Sequence, residues 1–546
     1  MEYQFKLLSS LEKIFFDMPE NIEEHIQGSM FKNEIYSFQL AGWVRSQHDR
    51  GLLCKLEIES ELAPYIEVKQ IGYVPNLLPS IRVDDGDDYI TKEPGLYPDP
   101  LYKVKDGVIE LMSHQTRAFW ISVDPKGNMI GSYPIVLKIS DMDDNLLSEL
   151  TFTLEIIDRE LPELDIYNTC WFYCDCITKM HNVEFMSGEF CKLVEKYMEV
   201  YTKFGHNTIL TPVFTPPLNT GIGEERPTNQ LVDVVVEGSE YIFGFDKLKK
   251  WIDMCLKCGV KYFEICHLFT QWGVKHAPKV MATVNGEFKR IFGWETDSAG
   301  AEYKAFLEAF LPELTAFLKK ENILEQCLFH ISDEPKPIDE ERYSGAKDIL
   351  TQFIDEKKLI DALSDYQFYE KGIVKQPVVC NTHIDSFLNY QAENLWVYYS
   401  MASRDGVANR FMSMPSYRNR ILGYQLYKYE IVGFLHWGYN FWFTNKSEKL
   451  INPYMDTTAG GKYQGGDSFM IYPVDEEGDV VCSTRLYVFN ESLQDMRALK
   501  LLEALTDRQT VFDLLQEVKG FAIYPRSNQY ILELRKRINQ EIKQIK

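Results

Sequence analysis

The stretch LFHISDEPKP, residues 328–337, carries the sharpest chemical pattern in the chain. Leu328, His330 and Ser332 alternate with Phe329 and Ile331 as in a buried strand. Two acids, Asp333 and Glu334, then leave its end before two prolines stop any regular continuation. Neighbouring carboxylates on one strand end cannot easily straddle a glycosidic bond, whose hydrolysis by paired acids needs carboxyl groups about 5–5.5 Å apart for retention and about 6.5–9.5 Å for inversion. They can both lie on the side of the leaving oxygen and the C2 substituent, which suits a reaction in which a 2-acetamido group of the substrate is itself the nucleophile. Their mutual repulsion should raise one carboxyl pKa and keep a proton available near neutral pH. A solvated acidic loop is the plain alternative, and it weakens if the pair sits at the mouth of a barrel.

Other apolar runs end in a similar way. They are followed by Trp171 and Asp175; Thr211, Pro212 and Thr215; His267, Gln271 and Trp272; Asn381 and His383; Tyr398 and Tyr399; and His436, Trp437, Asn440 and Trp442. Aromatic faces with directional polar groups suit a sugar ring, whose C–H face stacks on indoles while its hydroxyls need placed donors and acceptors. Seven of the nine tryptophans follow residue 165, so a sugar site is favoured over simple capping of a core. His267 and His436 read equally well as hydrogen-bonded core residues. Tyr398 is preferred over Tyr399 for the site, although a one-residue slip in register exchanges them. Asn409 and Arg410, in VANRF, either reach over the site or pin their own loop. Glu264 and Glu430 are the other carboxylates considered as a nucleophile, a weaker reading because Glu264 lies inside a strand and Glu430 at a helix end. No metal and no cofactor are expected; a zinc site from His330, Asp333 and His383 is conceivable on ligand type alone.

The elements that must position these residues fall into two textures. Up to about residue 160, short alternating runs such as ELTFTLEII, with Leu150, Phe152, Leu154 and Ile156 on one face, predict an N-terminal β-sandwich, residues 1–160, closed by the charged segment DRELPE. Beyond it, buried apolar strands alternate with amphipathic helices, the pattern of parallel β/α units. Eight strands are predicted, near Tyr167–Phe172, Asn207–Val213, Val260–His267, Gln326–Ser332, Gln376–Asn381, Leu395–Ser400, Ile431–Trp437 and Ser468–Tyr472. Helices are predicted over Phe190–Phe204, Phe245–Cys258, Glu302–Lys320, Asp339–Lys357, Ser416–Glu430 and Glu491–Ala504. The fold class is therefore multidomain β plus α/β, with a catalytic (β/α)8 TIM-type barrel over 161–510 and a C-terminal helical extension over 511–546 packed on the barrel. In such a barrel the active site lies at the C-terminal ends of the strands, where the residues above are found.

Composition sets the limits. The 546 residues are 45% apolar, with Lys plus Arg at 58 against Asp plus Glu at 81, a net charge of −23. That field repels phosphate backbones and anionic headgroups, so no nucleic acid and no membrane are expected as partners. The first residues show no basic region followed by an apolar one, and eleven scattered cysteines fit reduced thiols, which together predict a cytoplasmic protein acting on short imported oligosaccharides. The one C-x-x-C, Cys255 and Cys258, falls within a predicted helix and is not read as a metal or redox pair. The oligomeric state is left open, with a homodimer considered.

Six segments in order resemble the family 123 glycoside hydrolases, β-N-acetylgalactosaminidases and their uncharacterised relatives. They are PGLYPDPL at 94–101, TCWFYCDCI at 169–177, LTPVFTPPLNT at 210–220, HISDEP at 330–335, GFLHWGYNFW at 433–442, and GGDSFMIYP with STRL and LQDM over 465–496. The resemblance covers nearly the whole chain. It implies a β-sandwich joined to a catalytic barrel, retention through an oxazolinium intermediate, Glu334 as general acid/base and Asp333 orienting the acetamido group. Tyr173 stands where the resemblance leads one to expect His. The expected function is release of terminal β-linked N-acetylgalactosamine from a glycan or oligosaccharide. The alternatives are a non-catalytic glycan-binding protein on the same fold and a glycosidase of different sugar specificity.

Overall fold

The computed structural model describes residues 2–17, 22–46, 51–82, 88–127 and 129–545. The first part of the chain forms ten strands: β1 (Glu2–Ser9), β2 (Gln27–Phe31), β3 (Tyr36–Arg45), β4 (Gly51–Glu59), β5 (Ile66–Asn76), β6 (Gly95–Lys103), β7 (Val108–Met112), β8 (Thr116–Val123), β9 (Gly131–Asp141) and β10 (Leu146–Ile157). They make two five-stranded sheets, ordered β1-β3-β8-β5-β6 and β2-β10-β9-β4-β7. Alternating residues of both, including Leu40, Phe119, Ile121, Leu137 and Leu154, are buried in one shared core. Phe38 of one sheet stacks on Phe152 of the other at 4.1 Å.

The second part holds an eight-stranded parallel sheet in chain order: β11 (Tyr167–Cys170), β12 (Thr208–Thr211), β15 (Tyr262–Ile265), β18 (Cys327–Phe329), β19 (Ile360–Ala362), β20 (Gln376–Cys380), β21 (Trp396–Tyr398) and β22 (Gly433–His436). β22 pairs back onto β11, so the sheet curls into a barrel. The seam lies between β18 and β19, joined by the single parallel bridge Phe329–Leu359. Between successive strands run α1 (Cys174–His181), α2 (Gly188–Lys203), α3 (Asp246–Lys257), α4 (Ala301–Lys320), α5 (Glu340–Leu350), α6 (Tyr366–Glu370), α7 (Ile384–Asn389) and α8 (Tyr417–Lys428). Ser187 caps α2 by accepting the Phe190 N–H, which fixes where the first long helix begins.

Three expectations need correction. The fifth strand is Ile360–Ala362, absent from the predicted set, because Asp361 interrupts its short apolar run. Ser468–Tyr472 is not a barrel strand: Ile471–Val474 (β23) pairs only with Val480–Cys482 (β24) in a separate hairpin. The helix expected to reach Lys357 stops at Leu350. A further feature had no sequence signal: excursions after β12 and β15 supply β13 (Asp233–Glu237), β14 (Glu240–Gly244), β16 (Val280–Val284) and β17 (Glu287–Phe292), a four-stranded sheet on the side of the strands' C-terminal ends.

The chain ends with α9 (Thr484–Leu505), α10 (Arg508–Leu514) and α11 (Asn528–Gln544), whose Ile531, Leu534, Ile538 and Ile542 are buried. Buried ions tie the two parts together. Asp99 forms a two-point pair with Arg485 at 2.7 and 2.9 Å and accepts the Tyr472 hydroxyl at 2.6 Å. Glu34, Arg535, Asp495, Arg420 and Glu491 form a second network. Replacing one member of a buried pair strands the other, at a cost of about 3–5 kcal/mol. Asp99→Ala is therefore expected to lower the thermal midpoint sharply, and a midpoint within a degree or so of wild type in a calorimetric scan would show that this contact contributes little. Among the described residues no helix is long and apolar enough to cross a membrane.

Candidate active site

The C-terminal end of β18 delivers the acid pair beside the barrel seam. Asp333 is partly accessible and Glu334 exposed. Glu334 adopts φ +47°, an uncommon conformation for a side-chain-bearing residue, and its N–H donates to Ala362 O at 2.9 Å, pinning the loop to β19. The Tyr398 hydroxyl, from the end of β21, donates to Glu334 Oε1 at 2.7 Å. Tyr398 therefore faces the pair, while Tyr399 packs inward against Phe434 and His436. Burial, with the Glu334 carboxylate beside it, pushes the Asp333 carboxyl well above the ordinary carboxylate range.

Trp272 lies at the rim, 45% exposed, with its backbone N–H donating to the Asp333 backbone carbonyl at 3.0 Å. It opens a run of three residues with positive φ, Trp272 (57°), Gly273 (128°) and Val274 (56°). For a β-branched residue such as Val274 this is strained. It is held there by its carbonyl, which accepts the Ser298 hydroxyl. At Gly273 a Cβ would come within 3.0 Å of Asp339 Oδ1, so this turn can lie against the 333–339 loop only as glycine. Trp437, half-buried at the end of β22, donates its indole N–H to Asp467 Oδ2 at 3.1 Å.

Most of the other sequence candidates lie beneath this surface. Trp171 is buried, its indole N–H given to Glu264 at 2.9 Å. Asp175 is fully engaged by Arg226 at 2.8 and 2.9 Å, and Tyr173 lies over that guanidinium. Asn440 clamps the Tyr173 backbone with both ends of its amide. Asn409 donates to Ser400 O and Ser403 O, so it pins its own loop. Arg410 reaches inward to His436 Nδ1 at 2.6 Å and Gly438 O at 2.9 Å. His436 is buried and held neutral by burial and by the Arg410 charge. His267 is likewise buried and pushed well below the usual imidazole range. Trp442 is wholly buried, its N–H on Ile471 O, because the chain turns back outside the barrel after Gly438. As a platform for a sugar, Trp442 is thus corrected to a core residue.

Glu264 cannot serve as a nucleophile in this arrangement, since it is wholly buried and accepts from Thr169, Trp171 and His330. Glu430 lies two residues past the end of α8, on the side of the barrel from which β22 starts, paired with Arg508. His383 is exposed and bonded to Thr382, away from any cluster with His330. Among the described residues, ligand atoms of His267, His330 and Asp361 come within 4.8 Å of one another. His330 directs N–H groups at two carboxylates and Asp361 is saturated by donors, so the set fits a hydrogen-bonded cluster and not a cation. Cys255 is a free thiol in the core, and Cys258 is a half-buried one. Sequence reasoning missed Asp361, Arg226 and Asp467, all charged residues hidden in short strands or loops.

The family model of the glycoside hydrolase 123 catalytic domain matches residues 171–502, more than half of the chain. The chain belongs to glycoside hydrolase family 123. The match spans every barrel strand after β11 and includes the acid pair. Among solved structures, a family 123 glycoside hydrolase from Clostridium perfringens shares the fold, with a TM-score of 0.75, 13% identity, and coverage of 99% of this chain and 97% of that one. Far weaker likenesses link this family 123 chain to a Parabacteroides merdae β-glucuronidase (TM-score 0.29, 11% identity, 85% of this chain and 51% of that one) and to a Thermotoga petrophila endo-β-1,4-mannanase (TM-score 0.34, 12% identity, 62% and 77%). No curated protein sequence matches the chain.

Proposed function

We propose that this family 123 chain releases terminal β-linked N-acetylgalactosamine with retention. In this reading the substrate's acetamido oxygen attacks C1, Glu334 protonates the leaving oxygen and later activates water, and Asp333 holds the acetamido N–H and balances the positive charge of the cyclised intermediate. The observation that carries it is the pairing of the two acids at one strand end, with Tyr398 on Glu334 and the other inner carboxylate, Glu264, fully bonded beneath them. A protein nucleophile on the opposite face of the sugar is thus missing among the carboxylates considered. Burial and the Glu334 charge hold the Asp333 carboxyl above its usual range, so its ionisation, which the reading requires, comes at higher pH than for an ordinary aspartate.

The division into an N-terminal β-sandwich, a barrel and a helical extension at 1–160, 161–510 and 511–546 belongs to the same reading, with the sandwich bracing the barrel through the Asp99–Arg485 pair. So does action in the cytoplasm on short oligosaccharides. The deciding experiment is a panel of aryl β-glycosides differing only at C2 and C4. The N-acetylgalactosaminide is expected to turn over fastest and the C2-hydroxyl galactoside hardly at all. Faster cleavage of the galactoside, or no turnover of any member, rejects the reading.

Trp272, the most exposed aromatic ring beside the pair, is taken as a sugar platform. Trp272→Ala is expected to raise KM about tenfold, the worth of roughly 1–1.5 kcal/mol of stacking. An unchanged KM with a lowered thermal midpoint would return it to a structural role.

A further inference from the structure

Beneath the acid pair the barrel holds charged groups that the proposed reaction does not consume. Glu264, within β15, accepts from Thr169 Oγ1 at 2.6 Å, Trp171 Nε1 at 2.9 Å and His330 Nε2 at 2.6 Å. Asp361, within β19, faces the other nitrogen of the same ring, Nδ1, at 3.2 Å. It also accepts the backbone N–H groups of Ile331 at 3.1 Å and Ser332 at 3.3 Å and the Tyr343 hydroxyl at 2.6 Å. Glu264, His330 and Asp361 are all buried. An imidazole with a carboxylate on each side has an acceptor for both N–H groups and is held as the imidazolium. Burial alone would lower the His330 pKa, yet the hydrogen bonds it gives to Asp361 and Glu264 outweigh it and hold the value at about 9. His267 stacks on this ring at 4.1 Å and stays neutral, held down by burial and by the adjacent His330 charge.

We propose that Glu264, His330 and Asp361 form a positioning unit that fixes the acid pair's loop in its working geometry and sets a positive charge beneath Asp333. Asp361 grips both the ring and the backbone of Ile331 and Ser332, immediately before Asp333, across the seam between β18 and β19. The unit touches no substrate and acts through Asp333, so the inference rests on the reading of Asp333 as an ionised group in the reaction. The titratable groups that face Asp333 are Glu334, His330, Asp361 and Tyr173; those that face His330 are Glu264, Asp361, His267 and Asp333. Burial, Glu334 and Asp361 all favour a protonated Asp333, and His330 is the group that opposes them. Loss of its charge raises the Asp333 pKa, which moves the acid limb of the pH profile to higher pH.

The test compares wild type with His330→Gln, Glu264→Gln and Asp361→Asn. Histidine-selective ¹⁵N NMR is expected to show His330 protonated on both nitrogens at about pH 8, where an ordinary histidine is neutral, and singly protonated in Glu264→Gln. The three variants are expected to lose about tenfold or more in kcat with KM changed by no more than about twofold, and His330→Gln and Glu264→Gln, which remove or weaken the His330 charge, to shift the acid limb of kcat/KM upward. The profile uses whichever aryl glycoside the wild-type protein cleaves, so a different sugar specificity leaves this arm intact; the NMR arm needs no turnover. A singly protonated His330 in wild type overturns the proposal, as does a folded His330→Gln or Glu264→Gln variant that loses thermal stability with the limb unmoved. Should the charge variants fail to fold, Tyr343→Phe, which removes one donor from Asp361, is expected to lower kcat severalfold with KM and thermal midpoint little changed; an unchanged kcat there also overturns it.

Discussion

Glu334→Gln is expected to lower kcat/KM by about 10²–10⁴-fold on glycan substrates, the usual worth of a positioned general acid. The glutamine keeps the shape of the side chain, and its amide can still meet the Tyr398 hydroxyl that bonds Glu334 Oε1. What it loses is the proton for the leaving oxygen. Ring closure by the acetamido group does not need that proton when the leaving group is an activated phenolate, so the loss should shrink to a small factor for dinitrophenyl glycosides. The comparison of the two substrate types in steady-state kinetics is the measurement. Equal losses on both would give Glu334 another role, because a general acid matters only in proportion to the basicity of the group that departs.

Asp333→Asn is expected to slow the first chemical step by about 10²–10³-fold, the size seen when one preorganised electrostatic contact is removed. The loss arises because positive charge develops on the acetamido group as it closes on C1, and the variant offers a neutral amide in place of the carboxylate. The effect should fall on kcat more than on KM, since the charge exists only along the reaction path. A galacto-configured thiazoline, which imitates the cyclised intermediate, should bind wild type much more tightly than the product sugar and lose most of that advantage in Asp333→Asn. A covalent glycosyl-enzyme trapped with a fluorosugar would contradict this account.

Both expectations depend on residues that stand side by side in the chain, and these were legible from local pattern. A period-two apolar run followed by Asp333, Glu334 and two prolines determines a strand exit whatever surrounds it. The long amphipathic helices were legible for the same reason: the faces of α2, α3 and α4 repeat within one element, and each appears within a few residues of its predicted limits. The order of the strands that flank these helices follows from that alternation.

Non-local pairing decided the rest. A three-residue strand centred on a buried aspartate has no periodicity to read, so β19 and Asp361 emerge only when β20 and the segment after β18, at Ile331 and Ser332, close around them. Conversely, the apolar run near Ser468–Tyr472 resembles a barrel strand but finds its partner in Val480–Cys482. The aromatic residues after the strands look alike in sequence, yet Trp272 stands open to solvent while Trp442 packs against His181 and Tyr197. Asp175 reads as a free ligand until Arg226, from a distant loop, covers both of its oxygens. Local sequence determines which residues leave a strand end, since that depends on side-chain alternation alone. Which of them meets solvent and which is consumed by a buried charge is set by partners far away in the chain, through hydrogen bonds that exist only once the barrel has closed.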